Sequence, residues 1–500
     1  MAALAVGLHP VFFSYRPGMS QRIADVTFGQ ASVNQHCSSL NSISIPMNHR
    51  PLLRVLLLLF VVHACAAAGE QSRPNLVFIV TDDQGYGDLG SFGASDIETP
   101  NLDELVESGV KFTQWYSNSP VCSSSRAAFM TGLYPHNADV PDLLAVRAPG
   151  VALDRTTLAE ALQAVGYKTG AFGKWHMGAA DEYLPNKRGF DEFFGHLEGT
   201  LDYFSHMYYL TRAPRPFHDL WRNTEEVWEE GKYMTHLITR EAVRFIEASD
   251  DAPFFLYVAY NAPHLPLHVP REYLERFSHL DRQRQRMAAM LAVVDEGVGE
   301  IVTKLEEQGL RDETVIFFMS DNGGSNNAKN FLSNESEQYY YGANNGGLRG
   351  HKGGVFEGGI RVPACMSWPG VIQARHVVDE PLAGMDLYPT FLRISGAELP
   401  EYSLDGYDIM PIVQEGAKSP HEFLCWEYAG QYAIRKGNWK LMLNGMLDFR
   451  RNVEDVFLVN LKKDPGESIN YADANPDKVK ELKALFDNWY SSVRTKSSKG

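Results

Sequence analysis

Short continuous apolar runs alternate along this chain with segments of helical period. Leu76–Thr81 (LVFIVT) is rich in β-branched residues and predicts a strand buried on both faces. Thr156–Val165 has helical character, with Gly166 placed as a C′ stop before the strand-like YKTGAF. Phe254–Tyr260 (FFLYVAY) predicts a second buried strand. Met287, Met290, Leu291, Val294, Val298, Ile301 and Leu305 fall on one helical face. Gly309 ends that helix, and Thr314–Met319 (TVIFFM) is the next strand. Strands alternating with helices predict an α/β fold, a mostly parallel sheet covered on both sides. After about Pro369 the pattern changes. Tyr432–Leu443 reads as a hairpin turning near Gly437-Asn438, and Val456–Leu461 as a strand. Val479, Leu482, Leu485, Phe486 and Trp489 form the apolar face of a final helix. The expected organisation is a main domain over residues 73–370 and a smaller α+β domain over 371–500.

The most apolar segment, Leu52–Val62, is interrupted by Arg54. It is too short for a membrane span, which takes about 20 residues. Arg50 and Arg54 supply a basic flank and Ala66–Ala68 a small-residue cleavage site, so residues 47–68 read as a secretory signal peptide. Met47 is then the expected start, with residues 1–46 a leader or a mis-assigned beginning. No stable membrane span is expected, and the destination is extracellular or lysosomal.

Composition narrows the classes further. With 46 Lys and Arg against 62 Asp and Glu, the net charge is −16, which argues against a broad nucleic-acid surface. Five cysteines in 500 residues exclude a disulfide scaffold. Beyond the signal segment only Cys122, Cys365 and Cys425 remain; the last two are either a disulfide or buried thiols. Asn334-Glu335-Ser336 is a glycosylation sequon.

Polar clusters follow the apolar runs. LVFIVT leads into Asp82-Asp83, TVIFFM into Ser320-Asp321-Asn322, FFLYVAY into Asn261-Ala262-Pro263-His264, and YKTGAF into Gly173-Lys174-Trp175-His176. In open α/β sheets, functional groups gather beyond the carboxyl ends of strands. Three carboxylates and an amide oxygen suit a hard cation, calcium or magnesium. Cys122 enters a predicted helix, with Arg126 four residues on. Such a cysteine is either activated by the helix start or a small buried hydrophobe.

Cys122–Gly132 resembles the sulfatase signature: cysteine, a small residue, proline or alanine, serine and arginine, then threonine and glycine at fixed distance. Ser124 stands where the family has proline or alanine. DDQGYGD, GKWHMG, SDNGG and LRGHKGGVFEGGIRVP resemble further sulfatase motifs, in family order, within a likeness covering about residues 73 to 500. GFDEFFGHLEGTLDYFSH and APHLPLHVPREYL look most like the arylsulfatase B, or N-acetylgalactosamine-4-sulfatase, type.

The resemblance implies an alkaline-phosphatase-like fold and sulfate-ester hydrolysis. Cys122 would be converted to formylglycine by a formylglycine-generating enzyme. Asp82, Asp83, Asp321, Asn322 and residue 122 would hold one calcium ion. Lys174, His264 and Lys352 would bind sulfate, and Lys174 or His264 would protonate the leaving oxygen. Arg126 would orient the hydrated aldehyde, and His176 would deprotonate it. Ser205 and His206, and the aromatic groups Tyr203-Phe204 and Tyr339-Tyr340-Tyr341, are candidates for the substrate wall. The expected substrate is a sulfated carbohydrate or aryl sulfate. Two other readings stand beside this one: a phosphate or phosphonate monoester hydrolase of the same superfamily, and an inactive protein that binds sulfated glycans.

Overall fold

The computed structural model describes residues 73–209, 215–326, 342–447 and 452–497. The leader, the signal segment, the Asn334 sequon and Tyr339-Tyr340-Tyr341 lie outside the described residues. Ten strands make the main sheet: β1 (Asn75–Thr81), β2 (Val110–Phe112), β3 (Lys168–Lys174), β4 (Glu192–His196), β5 (Trp221–Arg222), β6 (Glu225–Glu226), β7 (Phe254–Ala259), β8 (Thr314–Ser320), β9 (Ala364–Ser367) and β10 (His376–Val378). Their spatial order is β10-β2-β9-β8-β1-β7-β3-β4-β5-β6. The central strands β8, β1, β7, β3 and β4 are mutually parallel. β9 is antiparallel to both its neighbours, and so is β5.

The continuous apolar runs are explained by burial on both faces. Leu76, Phe78 and Val80 of β1 share one core with the helices α1 (Cys122–Thr131) and α2 (Leu158–Ala164). Val77 and Ile79 point the other way, into a core with α3 (Met234–Glu247) and α4 (Arg282–Glu307). α2 begins one residue after Thr157, whose hydroxyl accepts the Glu160 N–H while the Glu160 carboxylate takes the Thr157 N–H. That reciprocal cap sets the start two residues later than helical periodicity suggests. The Asp281 carboxylate caps α4 by accepting the N–H groups of Gln283 and Arg284.

A second, antiparallel sheet comprises β11 (Leu424–Tyr428), β12 (Gln431–Lys436), β13 (Trp439–Met446) and β14 (Asn452–Asn460), in that order. Lys436 pairs with Trp439 across a two-residue turn, where Gly437 takes φ +57, a conformation that suits glycine. The final helix, α5 (Pro476–Ser497), covers this sheet through Leu482, Phe486 and Trp489. The main sheet extends past residue 370, because β10 pairs in parallel with β2. A three-residue strand carries too little periodicity to be read from sequence.

Lys440 in β13 is wholly buried, and its ammonium lies 3.0 Å from Oε1 of both Glu357 and Glu467. Cys365 in β9 and Cys425 in β11 are free, buried thiols. Among the described residues, no helix is long and apolar enough to cross a membrane.

Candidate active site

The register of the sheet builds the site. Thr81 at the end of β1 pairs with Ser320 at the end of β8. Asp82-Asp83 and Asp321-Asn322 therefore leave the sheet side by side. The Asp83 N–H donates to Asp321 Oδ1 at 3.3 Å, and Asn322 Nδ2 donates to Asp83 Oδ1 at 2.8 Å. Asp83 adopts φ +67, which turns the chain sharply at this point. Cys122 is the first residue of α1, and its side chain meets the same cluster. One ligand atom each from Asp82, Asp83, Cys122 and His264 lies within 4.8 Å of all the others.

Three cations match three carboxylates. Lys174 Nζ lies 2.6 Å from Asp82 Oδ2, and Lys352 Nζ lies 2.7 Å from Asp83 Oδ1. Arg126 donates Nε and Nη2 to Asp321 Oδ2 at 3.0 and 2.8 Å. Its Nη1 reaches the Lys174 carbonyl at 3.0 Å and the Tyr257 hydroxyl at 3.1 Å. Lys352 Nζ also lies 3.3 Å from Cys122 Sγ. All these side chains are buried.

The titration behaviour follows from burial and pairing. Burial alone would raise Asp82, but Lys174, His264 and Arg126 hold it well below the ordinary carboxylate range. Burial and the Asp82 charge push Asp321 up to about 6, against the pull of Arg126. Burial pushes the Cys122 thiol up to about 11, despite Lys174 and Lys352. Burial and Lys174 keep His176 well below its usual value, and burial brings His264 down to about 4. Both imidazoles are therefore neutral at pH 7. His264 Nδ1 lies 2.7 Å from the Leu265 carbonyl, an obligate acceptor, so Nδ1 carries the proton. Its Nε2 then presents a lone pair to the cluster, 3.7 Å from Asp83 Oδ2.

The donor set fits a divalent cation. Asp82 Oδ1 and Asn322 Oδ1 are buried with no hydrogen-bond partner. Orphaned buried oxygens are rare in native proteins. Here they belong to two residues expected to ligate a hard ion, and oxygen donors of this type suit calcium or magnesium.

The structure thus gathers Asp82, Asp83, Cys122, Arg126, Lys174, His264, Asp321, Asn322 and Lys352 into one connected cluster. His176 joins Cys122, Asp83, His264 and Lys352 around a cavity of about 240 Å³. A Cβ on Gly199 would stand 2.6 Å from the His176 ring, so the loop carrying it needs glycine to pass this close. Ser205 and His206 do not line this cavity. Ser205 donates to Asp202 Oδ1 at 2.8 Å, and the buried His206 ring turns to the Lys232 carbonyl at 3.1 Å. Tyr203 is fully buried packing whose hydroxyl donates to the carbonyls of Asn261 and His264. The cavity wall instead uses Leu143, Leu144, Glu198, Thr200, Tyr208 and Leu265. Tyr257, an interior strand residue, escaped sequence reading because nothing local marks its hydroxyl as an arginine partner.

The sulfatase family model matches residues 74–397, more than half of the chain. The chain belongs to the sulfatase family. A model of the N-sulphoglucosamine sulphohydrolase C-terminal region also matches, over residues 351–491. Relatives of this sulfatase include arylsulfatase J of Mus musculus, 33% identical, covering 83% of this chain and 76% of the relative. Arylsulfatase A of Homo sapiens is 33% identical, covering 84% and 89%. The solved structure of Ps i-CgsB in complex with k-i-k-neocarrahexaose is 36% identical, with a TM-score of 0.74, covering 84% of this sulfatase and 93% of that chain. This sulfatase is a sulfuric ester hydrolase. Phosphonate monoester hydrolase of Agrobacterium radiobacter shares the fold alone, at 21% identity and a TM-score of 0.60, covering 85% and 96%.

Proposed function

We propose that this sulfatase cleaves sulfate esters of carbohydrates through a formylglycine made from Cys122, with a calcium ion beside it. One observation carries the reading: the Cys122 sulfur sits at the head of α1, inside the Asp82, Asp83 and His264 group and 3.3 Å from Lys352. The carbohydrate reading draws on relatives named for sugar sulfates, such as N-acetylgalactosamine-6-sulfatase of Mus musculus, and on the neocarrahexaose bound by Ps i-CgsB.

Asp82, Asp83, Asp321, Asn322 and residue 122 would hold the calcium ion. When bound, it supplies positive charge that acidifies a neighbouring hydroxyl and polarises a sulfate oxygen. The hydrated aldehyde offers two hydroxyls on one carbon, one to take the sulfuryl group and one whose deprotonation releases it. Lys174 and Lys352 present ammonium groups to the ester oxygens, and this charge is already in place before reaction. Lys174 is the stronger candidate to protonate the departing alcohol, since His264 turns an unprotonated Nε2 to the site. His264 accepts or orients there. Neutral His176, with Nδ1 free of any partner, takes the proton from the second hydroxyl. Arg126 fixes the Asp321 carboxylate and balances its charge.

Maturation by a formylglycine-generating enzyme and passage through the secretory pathway, to the cell exterior or a lysosome, complete the proposal. The test is purified protein from a secreting host, assayed on 4-nitrophenyl sulfate and 4-nitrophenyl phosphate. The peptide containing residue 122 is weighed in parallel. Sulfate turnover with an aldehyde at residue 122 is expected. Faster phosphate turnover would replace the reading with a phosphohydrolase, and an intact thiol without turnover would favour a glycan-binding protein.

A further inference from the structure

The outer part of the cavity differs in character from its floor. Leu143, Leu144 and Leu265 make an apolar wall, with Thr200, Tyr208 and Glu198 as the polar members. Among the described lining residues, Glu198 is the only acidic or basic side chain outside the floor, where Asp83 and Lys352 pair at 2.7 Å. His176 and His264 are neutral. Arg126, Lys174 and Lys352 are each paired with a buried carboxylate, and none of the three belongs to the outer wall.

Glu198 is held in place. Its Oε1 accepts the Arg147 N–H at 2.9 Å, while its own N–H donates to Asp219 Oδ2 at 3.0 Å. The Arg147 guanidinium lies over the Phe217 ring, 5.6 Å from the centroid, and its charge lowers the Glu198 carboxyl only as the weakest of the influences on it. Burial pushes the Glu198 carboxyl up to about 7, with the Asp219 charge adding to the rise and the Arg147 N–H opposing it, so its charge is fully present only above that pH. The net charge of −16 adds a long-range field of the same sign.

We propose that Glu198 is a specificity-determining residue, whose ionised carboxylate disfavours esters that carry a second anion beside the cleaved sulfate. The substrate class is then a singly sulfated, otherwise uncharged sugar or aryl group, in preference to densely sulfated or uronate-bearing chains. The inference rests on the hydrolase reading above.

Two matched aryl sulfates test it: 4-nitrophenyl sulfate and its 2-carboxylate derivative. Each is assayed at pH 8.5, where Glu198 is ionised, with the full-length enzyme, whose residue 122 has been verified as formylglycine, and with Glu198→Gln. Glutamine can still accept the Arg147 N–H, so the loop contact survives while the charge goes. The ratio of kcat/KM, carboxylated over plain, is expected to rise about tenfold in Glu198→Gln, the size of one like-charge contact at a partly screened site. Glu198→Lys should raise it further, and added salt should narrow the difference between wild type and variant. An unchanged ratio in both variants overturns the inference while turnover of the plain ester keeps the hydrolase reading intact. Loss of turnover on both esters by the verified wild type removes the hydrolase reading and this inference with it.

Discussion

The Lys352 ammonium lies 3.3 Å from the Cys122 sulfur, although 230 residues separate them in the chain. The contact joins a Gly-rich loop to the first turn of α1, and Lys352 also pairs with Asp83 at 2.7 Å. One cation thereby links the residue proposed to be modified with the carboxylates proposed to hold the metal.

Cys122→Ser should retain the fold, since it removes little volume from an otherwise intact helix start. It supplies only one hydroxyl, so turnover should fall by about 10⁴-fold or more. Circular dichroism and 4-nitrophenyl sulfate turnover check this. Wild-type-like activity in the serine variant would defeat the formylglycine reading.

Chelation should lower both activity and melting temperature, because it exposes the buried Asp82, Asp83 and Asp321 charges to one another. Calcium should restore both, more effectively than magnesium if the site is flexible and rich in oxygen. In chelator, Asp321→Asn should still destabilise by about 3–5 kcal/mol, because Arg126 loses the carboxylate that balances its buried charge. Denaturant unfolding measures the difference, and a neutral effect would mean that Arg126 is compensated elsewhere.

Lys440→Met should cost about 3–5 kcal/mol near pH 8, since it strands two carboxylates that each lie 3.0 Å from the ammonium. Burial already pushes Glu467 up to about 7, with Lys440 opposing and Glu357 adding to the rise. Without the pull of Lys440 the carboxyl rises further, so the variant should recover part of its stability as pH falls and Glu467 takes a proton. Thermal unfolding at pH 8 and pH 5.5 would reveal this narrowing, and a pH-independent deficit would count against it.

Glu241 offers the opposite sign. Burial would raise it, but hydrogen bonds from Arg222, Arg244 and Arg240 hold it down to about 2 from an ordinary 4.5. A depressed carboxylate contributes stability in full above its unfolded value and loses it as pH falls toward 2. Glu241→Gln should cost about 1–2 kcal/mol at pH 7, a modest figure because the arginines are partly exposed. The gap from wild type should close between pH 5 and pH 2. Urea unfolding across that range tests it, and a gap that persists at pH 2.5 would exclude this linkage.

Much of the fold could be read along the chain. The runs LVFIVT, FFLYVAY and TVIFFM became parallel central strands because each is buried on both faces, which demands apolar residues at every position. The four-residue periodicity of Met287 to Leu305 became the buried face of α4. Short edges were not legible: β10 and the pair β5 and β6 depend on partners distant in sequence, and their two or three residues carry no period of their own. His206, a candidate for the substrate wall, instead turns its ring to the Lys232 carbonyl, a partner 26 residues away that nothing local announces.

The chain alone determined which segments would be strands and helices, and placed acidic or basic clusters directly after the strands, because hydrophobic period and turn chemistry are local. Only the tertiary structure decided that Thr81 stands opposite Ser320, that each buried cation takes one carboxylate, and that Glu198 rather than Ser205 faces the cavity. Those outcomes depend on strand register and on packing between residues far apart in sequence, where a shift of one position would turn every side chain of a strand to the opposite face.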